Sequence, residues 1–546
     1  MKKYIGDVYG GATAAIVALP LALAFGVSSG AGALAGLYGA IFTGFFAAIF
    51  GGTRLQISGP TGPMTVVMAL VVTHFSPNLS AAFTVVVLAG IFQILFGILG
   101  LGRFIKLMPQ PVISGFMSGI GIIIIVLQIA PILGHEFPGG PILVKLLAVP
   151  QMIRTVNYDA LFPAAITLFI MVFSPLRLTR VFPPALLALF LGSLVGYTFF
   201  PYAPEIGSIP SGLPDFYFPQ IQIAQLPYII RFALVLAFLG AIDSLLTSLV
   251  IDSITRTSHD SNRELIGQGI GNLFAGLFGG LPGAGATMRS MVNARAGATS
   301  RLSGVLHSLL LLLIVFGFSD LAGHIPLAIL GGILIKVGIN IIDWQSLKRL
   351  HRASRAGVVI MLSTLLMTVL VDLITAVAVG FVMASVLFVS RMADEQIKSA
   401  KFSFGADELD DLSEEENEIL SEEKGRIVLF HVQGPLSFGS ARDIAKIIQS
   451  DIDKDVLVMD MTDIPFIDSS ASAALEEVFE RLSEIGDDVL LFGVRSSVLD
   501  TLKRTGIFMR VGDTNILASR IEALREAQTI INKKKAARAA NDIKVG

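Results

Sequence analysis

Long apolar runs alternate with short stretches rich in glycine, proline or charge from about Val8 to Met392. Runs such as AAFTVVVLAGIFQILFGILGL have the length, roughly 17 to 24 residues, that an α-helix needs to cross the hydrocarbon core of a membrane. The pattern therefore predicts a polytopic α-helical membrane protein. The predicted segments, fourteen in number, are 8–27, 34–50, 62–74, 81–101, 111–134, 160–176, 182–200, 228–251, 264–280, 286–296, 302–322, 325–343, 355–371 and 373–391.

Two of these segments, 62–74 and 286–296, are too short to cross a membrane, and they begin in the Gly- and Pro-rich sequences SGPTGPMT and LPGAGATM. Each takes the third place in a set of seven segments. Paired short, broken segments at corresponding places of two halves are typical of inverted-repeat transporters, whose substrate site lies near the bilayer midplane. The sequence thus predicts 14 segments arranged as a 7+7 inverted repeat.

The two ends of the chain are predicted to lie on one side of the membrane, because the number of spans is even. The basic loop SLKRLHRASR (346–355) and Lys2 with Lys3 assign that side to the cytoplasm. The start of the chain imitates a secretory signal, but we interpret it as the first span because many spans follow.

The character of the sequence changes after Arg391, where acidic residues and then short β-branched runs replace the apolar segments. β-branched runs that alternate with helix-like stretches are typical of an α/β domain. We predict a transmembrane domain over 1–392, an acidic linker or exposed helix over 393–424, a soluble α/β domain over 425–530 and a solvated basic tail over 531–546.

Composition excludes several classes of function. The 546 residues are 53% hydrophobic and 15% charged with a formal net charge of -2, so no basic face for nucleic acid is expected. The absence of cysteine excludes disulfides, thiolate metal sites and cysteine nucleophiles. The seven histidines lack the spacing of metal ligands, and no pair of nucleophile and base is recognisable. We expect neither an enzyme nor a protein with an organic cofactor.

The broken helices suggest a binding site for an anion. A helix that begins inside the membrane leaves its first N–H groups unpaired and carries about half a positive charge at that end. Glycine and alanine at 283–286, and Gly62 at the other break, allow the backbone to face a ligand, while Thr61 and Thr287 add hydroxyl groups. If the two helix ends face one another, a single small anion fits between them.

Asp243 lies in the middle of the apolar run LGAIDSLLTSLVIDS, and Thr247 follows one turn later on the same helix face. A carboxylate within a span requires a cation, a proton or an arginine. A carboxylate and a hydroxyl, completed by carbonyls of an unwound segment, form an oxygen cage suited to sodium. Two alternatives remain open: Asp243 pairs with Arg289 and tethers two helices, or it carries a proton.

Two other positions also have more than one interpretation. Arg289, in the first turn after a break, has three interpretations: it lies in a wet vestibule, it neutralises Asp243, or it attracts the substrate. Ser470 follows Asp468 and Ser469 after a predicted strand, and this group either caps a helix or provides a site of phosphorylation or partner docking.

Four stretches together resemble the SulP family of sulfate permeases and anion transporters, bacterial relatives of animal solute carrier family twenty-six. They are LPLALAFGVSSGAGALAGLYGA, SGPTGPMT, SNRELIGQGIGN and ATMRSMVNARAGATSRLSG, and the motif DSSA is similar to that of STAS domains. The resemblance implies a 7+7 inverted repeat, split into a core and a gate domain that move by an elevator-like mechanism, usually in a homodimer. Within the family, IDSLLTSLVIDSITRTSHDSNRELIGQGIGN, GAGATM and KVGINIIDW look closest to the BicA-type sodium-dependent bicarbonate transporters.

The resemblance also implies a role for particular residues. Sodium would be held by Asp243, Thr247, Gly285 and Thr287. The anion site would be presented by Thr61, Gly62, Ala286 and Thr287, with Phe25 of the first span beside it and Arg289 close by. Ser470 would match the serine that is phosphorylated in antagonist STAS domains.

The chain departs from the bicarbonate branch at two positions: that branch has Glu in place of Gly59 and Gly in place of Arg289. Arginine at the latter place is common among sulfate and chloride transporters of the family. We expect an elevator-type secondary active transporter of the plasma (inner) membrane that takes up bicarbonate with sodium. The alternatives are a proton- or sodium-coupled sulfate or dicarboxylate permease, an uncoupled anion exchanger or channel, and an anion receptor with the STAS domain as its output.

Overall fold

The computed structural model describes residues 2–105, 108–138, 141–175, 183–207, 214–371, 373–399, 401–403, 412–423, 425–432, 434–437, 446, 448 and 454–545. The chain divides into two compact units, Met1–Ala384 and Ser385–Gly546. The first is built from apolar helices, and the second contains a sheet covered by helices on both faces.

The helices up to Ser399 follow one another with short connections. They are α1 (Lys2–Ser28), α2 (Ala33–Phe50), α3 (Gly62–Phe75), α4 (Leu79–Ile98), α5 (Gly102–Ile105), α6 (Gln110–Ile132), α7 (Ile142–Arg154), α8 (Tyr158–Phe173), α9 (Pro184–Phe199), α10 (Leu226–Thr255), α11 (Ser261–Leu277), α12 (Thr287–Arg295), α13 (Leu302–Gly323), α14 (Leu327–Ile341), α15 (Trp344–Lys348), α16 (Arg355–Leu370) and α17 (Leu373–Ser399). Short 3₁₀ helices occupy Ile223–Gln225 and Leu350–Arg352.

Six helices among the described residues are long and apolar enough to cross a membrane alone: Tyr4–Ser28, Ala33–Phe50, Leu79–Ile98, Gln110–Ile132, Ile223–Thr255 and Thr375–Glu395. Several others are apolar but shorter, and α7 and α8 form a pair bent by 111°. The prediction of a polytopic helical membrane protein is confirmed. Helix α7 was not predicted, because its sequence ILVKLLAVPQMIR contains Lys, Pro and Arg. Of its side chains only that of Met152 is buried.

The two short segments predicted as broken helices meet in the structure. Strand β1 (Ser58–Gly59) pairs antiparallel with strand β2 (Ala284–Gly285), with Ser58 opposite Gly285. Helix α3 begins soon after β1, and α12 begins soon after β2. We call the paired strands β1 and β2 the half-helix crossing. Because the strands are antiparallel, the two half-helices leave this crossing from corresponding places, as an inverted repeat requires.

The second unit is an α/β layer structure. Its strands β3 (Lys401–Ser403), β4 (Ile427–His431), β5 (Val456–Asp460), β6 (Asp488–Phe492) and β7 (Ile516–Leu517) lie in sequence order. β3 is antiparallel to β4, and the remaining neighbours are parallel. The helices are α18 (Glu414–Glu422), α19 (Ser469–Ile485), α20 (Ser496–Arg504), α21 (Ile507–Val511) and α22 (Arg520–Val545), with a 3₁₀ turn at Asp513–Asn515.

Alternate residues of the central strands pack on opposite faces of this sheet. Phe430 and Met459 belong to the core that also contains residues of α19, α20 and α21. Leu429 and Val458 belong to the core that contains residues of α18 and α22. Burial on both faces explains why these strands are nearly continuous apolar runs.

The polar segments at the two ends of the soluble domain are partly structured. Helix α18, within the predicted linker 393–424, begins with a capping box between Ser413 and Glu416 and packs against the sheet. Helix α22 continues through much of the predicted tail 531–546. Lys535 Nζ lies 2.6 Å from Glu423 Oε1, so the basic and acidic segments are joined by an ion pair. The opposite charges of the two segments therefore hold these segments together and do not only face solvent.

Asp460, buried at the end of β5, gives this unit a testable dependence on pH. His431 Nδ1 lies 2.8 Å from Asp460 Oδ2, and the Thr462 N–H donates to Oδ1 at 3.0 Å. Burial raises the pKa of Asp460, but the hydrogen bonds from His431 and Thr462 outweigh it and hold the pKa below its ordinary value. The Asp460→Asn variant should lose about 1–3 kcal/mol of stability at neutral pH, measured as faster amide hydrogen exchange of β4 and β5 in the full-length protein.

The sign of the pH dependence follows from the lowered pKa of Asp460. The stabilisation by its carboxylate is complete above the unfolded-state pKa of about 3.9. It is lost as the pH falls through the folded-state pKa, so wild type and Asp460→Asn should converge in acid. A difference that widened on acidification would contradict this assignment.

Candidate ion site between two half-helices

The two half-helices begin without the side-chain caps that are usual at helix ends. Thr61 is the N-cap residue of α3 and Ala286 that of α12, and neither side chain bonds the first turn of its helix. Thr61 Oγ1 instead donates to Asp243 Oδ2 at 3.0 Å. Among the described residues, the amides of Gly62 and Thr287 have no hydrogen-bond acceptor. Both helix ends therefore present N–H groups and positive dipole ends.

Asp243 is a buried acid with no compensating cation among the residues that the structure describes. Its residue is 8% exposed, on α10. Within the described part of the chain, no Lys, Arg or His nitrogen lies within 4.0 Å of its carboxylate. The interpretation in which Asp243 pairs with Arg289 is therefore wrong. A buried carboxylate in this state requires a bound cation or a proton.

Thr247 links Asp243's helix to the start of α12. Its Oγ1 donates to the Gly285 carbonyl at 2.9 Å and lies 2.6 Å from Thr287 Oγ1. Since Thr247 lies one turn after Asp243, the carboxylate, two hydroxyls and one carbonyl face the same region. The structure thus brings three of the four predicted sodium ligands into direct contact and places the fourth one turn away. The donors are all oxygen atoms, as a hard cation prefers.

Ser244 also positions this site, although no motif in the sequence singles it out. The Gly285 N–H donates to Ser244 Oγ at 3.0 Å, and Ser244 Oγ donates to the Gly240 carbonyl at 2.6 Å. Gly285 is therefore held at its N–H by Ser244 and at its carbonyl by Thr247. The only sequence signal was the neighbourhood of Asp243.

The predicted anion-site residues Gly62, Phe25 and Ala286 have different surroundings in the structure. A Cβ at Gly62 would lie 2.7 Å from both Ile124 Cδ1 and Ile341 Cδ1, so this end of α3 faces α6 and α14. Phe25 is buried in the same apolar cluster as Ile124. The amide of Ala286 is not free as expected, because it donates to the Ile57 carbonyl at 2.9 Å. This bond extends the β1–β2 pairing by one step, so Thr287 provides the first amide of α12 that has no acceptor in the described part of the chain.

Arg289 bridges the two broken segments. It is 2% exposed, and its Nη2 donates to the Pro60 carbonyl at 2.5 Å. Its Nη1 has no hydrogen-bond partner in the described part of the protein. A Cβ at Gly59 would lie 2.9 Å from this Nη1, so the guanidinium occupies the space that a side chain at 59 would need. A wet vestibule is excluded by its burial, and substrate attraction remains open.

Ser470, in the second unit, is exposed near the start of α19. The helix cap is Asp468, whose Oδ1 accepts from the Ala471 N–H at 2.8 Å. Ser470 is thus not the capping residue, and its predicted phosphorylation or docking role stays a prediction.

Comparison with known proteins places this chain in a family. The model of the sulfate permease family matches residues 4–364, and that of the STAS domain matches residues 418–522. A protein of Picosynechococcus sp. named bicarbonate transporter BicA is 46% identical over 535 residues, which are 96% of this chain and 94% of that protein.

Two solved structures show the same fold. The transmembrane domain of a cyanobacterium bicarbonate transporter BicA matches with 51% identity and a TM-score of 0.65, over 68% of this chain and 97% of that one. Murine solute carrier 26 family member A9, described as an anion transporter in the inward-facing state, matches with 19% identity and a TM-score of 0.84, over 96% and 91% of the two chains.

Proposed function

Because the chain belongs to the sulfate permease family and ends in a STAS domain, we propose that it is a secondary active transporter that couples inward movement of sodium to uptake of bicarbonate. Family membership makes it an anion transporter and not an enzyme. The coupling ion and the choice of anion are the proposal.

The oxygen cluster of Asp243, Thr247, Gly285 and Thr287 supports the sodium part. Sodium would balance the buried carboxylate of Asp243, which has no Lys, Arg or His nitrogen of the described residues within 4.0 Å. Gly285 and Thr287 stand at the start of α12, so an ion bound to their oxygens would also fix that helix end. Anion binding at the same end would then be favoured by bound sodium, and the reverse would hold by linkage.

The unpaired amides of the two half-helices support a small anion as substrate. The relative that shares 46% identity along nearly the whole chain is named a bicarbonate transporter, which favours bicarbonate. Elevator-like movement and a homodimer accompany the proposal on the family resemblance. Cytoplasmic termini follow from the even number of predicted spans and the basic loop 346–355, and an inner-membrane location is part of the same proposal.

The test is uptake of labelled bicarbonate and labelled sulfate into proteoliposomes, each with and without an inward sodium gradient at fixed pH. We expect bicarbonate uptake that requires the gradient. Equal uptake in sodium-free buffer would exclude the coupling. Currents that reverse at the anion equilibrium potential irrespective of sodium would identify a channel or exchanger instead.

Sulfate is a second candidate substrate, and Arg289 favours it. A buried guanidinium, one nitrogen of which has no partner among the described residues, adds positive charge at the half-helix crossing that a dianion would use. If sulfate competes with bicarbonate, the Arg289→Gly variant should weaken that competition roughly tenfold or more, since a hydrogen bond to a charged group contributes about 1.5–3 kcal/mol.

Arg295→Gln is the matched control for this experiment, because Arg295 ends the same helix and is exposed. It should leave sulfate competition unchanged. If Arg289→Gly also leaves the competition unchanged, Arg289 serves only to join α12 to Pro60.

A further inference from the structure

A second buried carboxylate lies outside the candidate ion site. Glu264, in the first turn of α11, is 1% exposed. Its Oε1 accepts from Gln56 Nε2 and Gln268 Nε2, both at 2.8 Å, and its Oε2 accepts from the Thr53 N–H at 2.8 Å. No Lys, Arg or His nitrogen of the described residues lies within 4.0 Å of it. The carboxylate is therefore satisfied by neutral donors that converge on it.

These donors belong to a cluster that extends to the helix carrying Asp243. We define the Glu264 cluster as Thr53, Gln56, Ser248, Glu264 and Gln268. Ser248 Oγ lies 2.7 Å from Thr53 Oγ1 and 2.9 Å from Gln56 Oε1. Ser248 directly follows Thr247, so the cluster joins the approach to β1 to both α10 and α11.

Gln56 connects the Glu264 cluster with Gly285. A Cβ at Gly285 would collide with the amide group of Gln56, Nε2 being the nearest atom. The Gln56 amide therefore lies directly against the Gly285 backbone, on the side where Cβ would stand. Ser244 and Thr247 hold the N–H and the carbonyl of the same residue. Gly285 is thus enclosed by Gln56, which is itself held between Glu264 and Ser248.

We propose that Glu264 is a positioning residue for the coupling ion: it orients the Gln56 amide, which fixes the Gly285 carbonyl as an ion ligand. This rests on the proposed sodium coupling. Glu264 acts without touching the ion, so its role is to set the affinity for sodium.

The chemistry of the pair explains why an acid is required at position 264. Gln56 presents its NH₂ to Glu264 and its carbonyl to Ser248. In Glu264→Gln, the new NH₂ would face the NH₂ groups of Gln56 and Gln268 in the place of Oε1, or the Thr53 N–H in the place of Oε2. Only a carboxylate accepts on both sides. In the first orientation Gln56 would have to turn and would present its NH₂, in place of its carbonyl oxygen, to Ser248. In the second, the loop at Thr53 that precedes Gln56 would lose its acceptor. The exchanged pair, Gln56→Glu with Glu264→Gln, restores one carboxylate beside one amide.

The experiment is a sodium titration of labelled bicarbonate uptake in proteoliposomes containing the full-length protein. Glu264→Gln should raise the sodium concentration for half-maximal uptake roughly tenfold, as expected for a lost hydrogen bond to a buried charge. At saturating sodium, the KM for bicarbonate should stay near the wild-type value. The exchanged pair should return the sodium half-saturation to within about threefold of wild type.

Ser248→Ala keeps the test informative if Glu264→Gln does not fold. It removes the hydroxyl that donates to Gln56 Oε1, together with its contacts to Thr53 Oγ1 and the Ser244 carbonyl, and leaves Glu264 in place. The sodium half-saturation should shift in the same direction by about threefold. Either of two results would overturn the role of Glu264. One is an unchanged sodium half-saturation with a lower maximal rate. The other is an exchanged pair whose sodium half-saturation is no closer to wild type than that of Glu264→Gln alone. A wild type without sodium dependence would instead refute the proposed function and this inference with it.

Discussion

The Asp243→Asn variant is expected to lose sodium-dependent bicarbonate uptake completely, to the level of protein-free liposomes. The carboxylate is the only negative charge in the proposed set of ligands, and an amide carries none. The amide oxygen of Asn still accepts the hydrogen bond from Thr61, which in the wild type is 3.0 Å long. Folding should therefore survive while ion binding is lost. The measurement is initial uptake with and without an inward sodium gradient, together with the melting temperature of the purified variant.

Asp159→Asn is the matched control for loss of a carboxylate. Asp159 lies in the first turn of α8, away from the half-helix crossing, and should keep wild-type uptake. Sodium-dependent uptake by Asp243→Asn at half the wild-type rate or more would exclude Asp243 as the essential ion ligand. If wild-type uptake depends on a pH gradient instead of sodium and Asp243→Asn abolishes it, the alternative in which Asp243 carries a proton is favoured.

The half-helices were predictable because their signals are local. Gly- and Pro-rich sequence marks where α3 and α12 begin, and the predicted 62–74 and 286–296 lie close to Gly62–Phe75 and Thr287–Arg295. Asp243 was predictable for a similar reason, since one carboxylate in an apolar run is recognisable without knowledge of its neighbours.

The partners of these residues were not predictable, since they lie far apart in sequence. Arg289 binds Pro60, which is 229 residues away, and no local pattern distinguishes that contact from one with Asp243. The Ala286 amide is consumed by pairing with Ile57, which depends on the register of β1 and β2. Glu264 follows a helix cap, a place where an exposed acid is ordinary, so its burial left no signal in the sequence.

The crossing of β1 and β2 leads to the second large expected effect, in Gly283→Ala. A Cβ at Gly283 would lie 2.7–2.9 Å from the C, Cα and O atoms of Gly59. The backbone of Gly283 cannot withdraw, because Asn272 accepts from its N–H at 2.7 Å and donates to its carbonyl at 2.9 Å. Asn272 is in turn held by Gln93, at 2.7 Å. The added methyl group must therefore push the two half-helices apart.

A shift of about 1 Å in a binding site can reduce turnover about 100-fold, so Gly283→Ala should lower uptake roughly 100-fold or prevent the protein from accumulating. Gly317→Ala is the matched control, since a Cβ there would meet no atom within 4 Å. That variant should transport normally and gain up to about 1 kcal/mol of helix stability. Wild-type uptake by Gly283→Ala would mean that the backbone spacing at the crossing does not set the geometry of the ion site. Loss of uptake in both variants would trace the effect to membrane insertion rather than to the crossing.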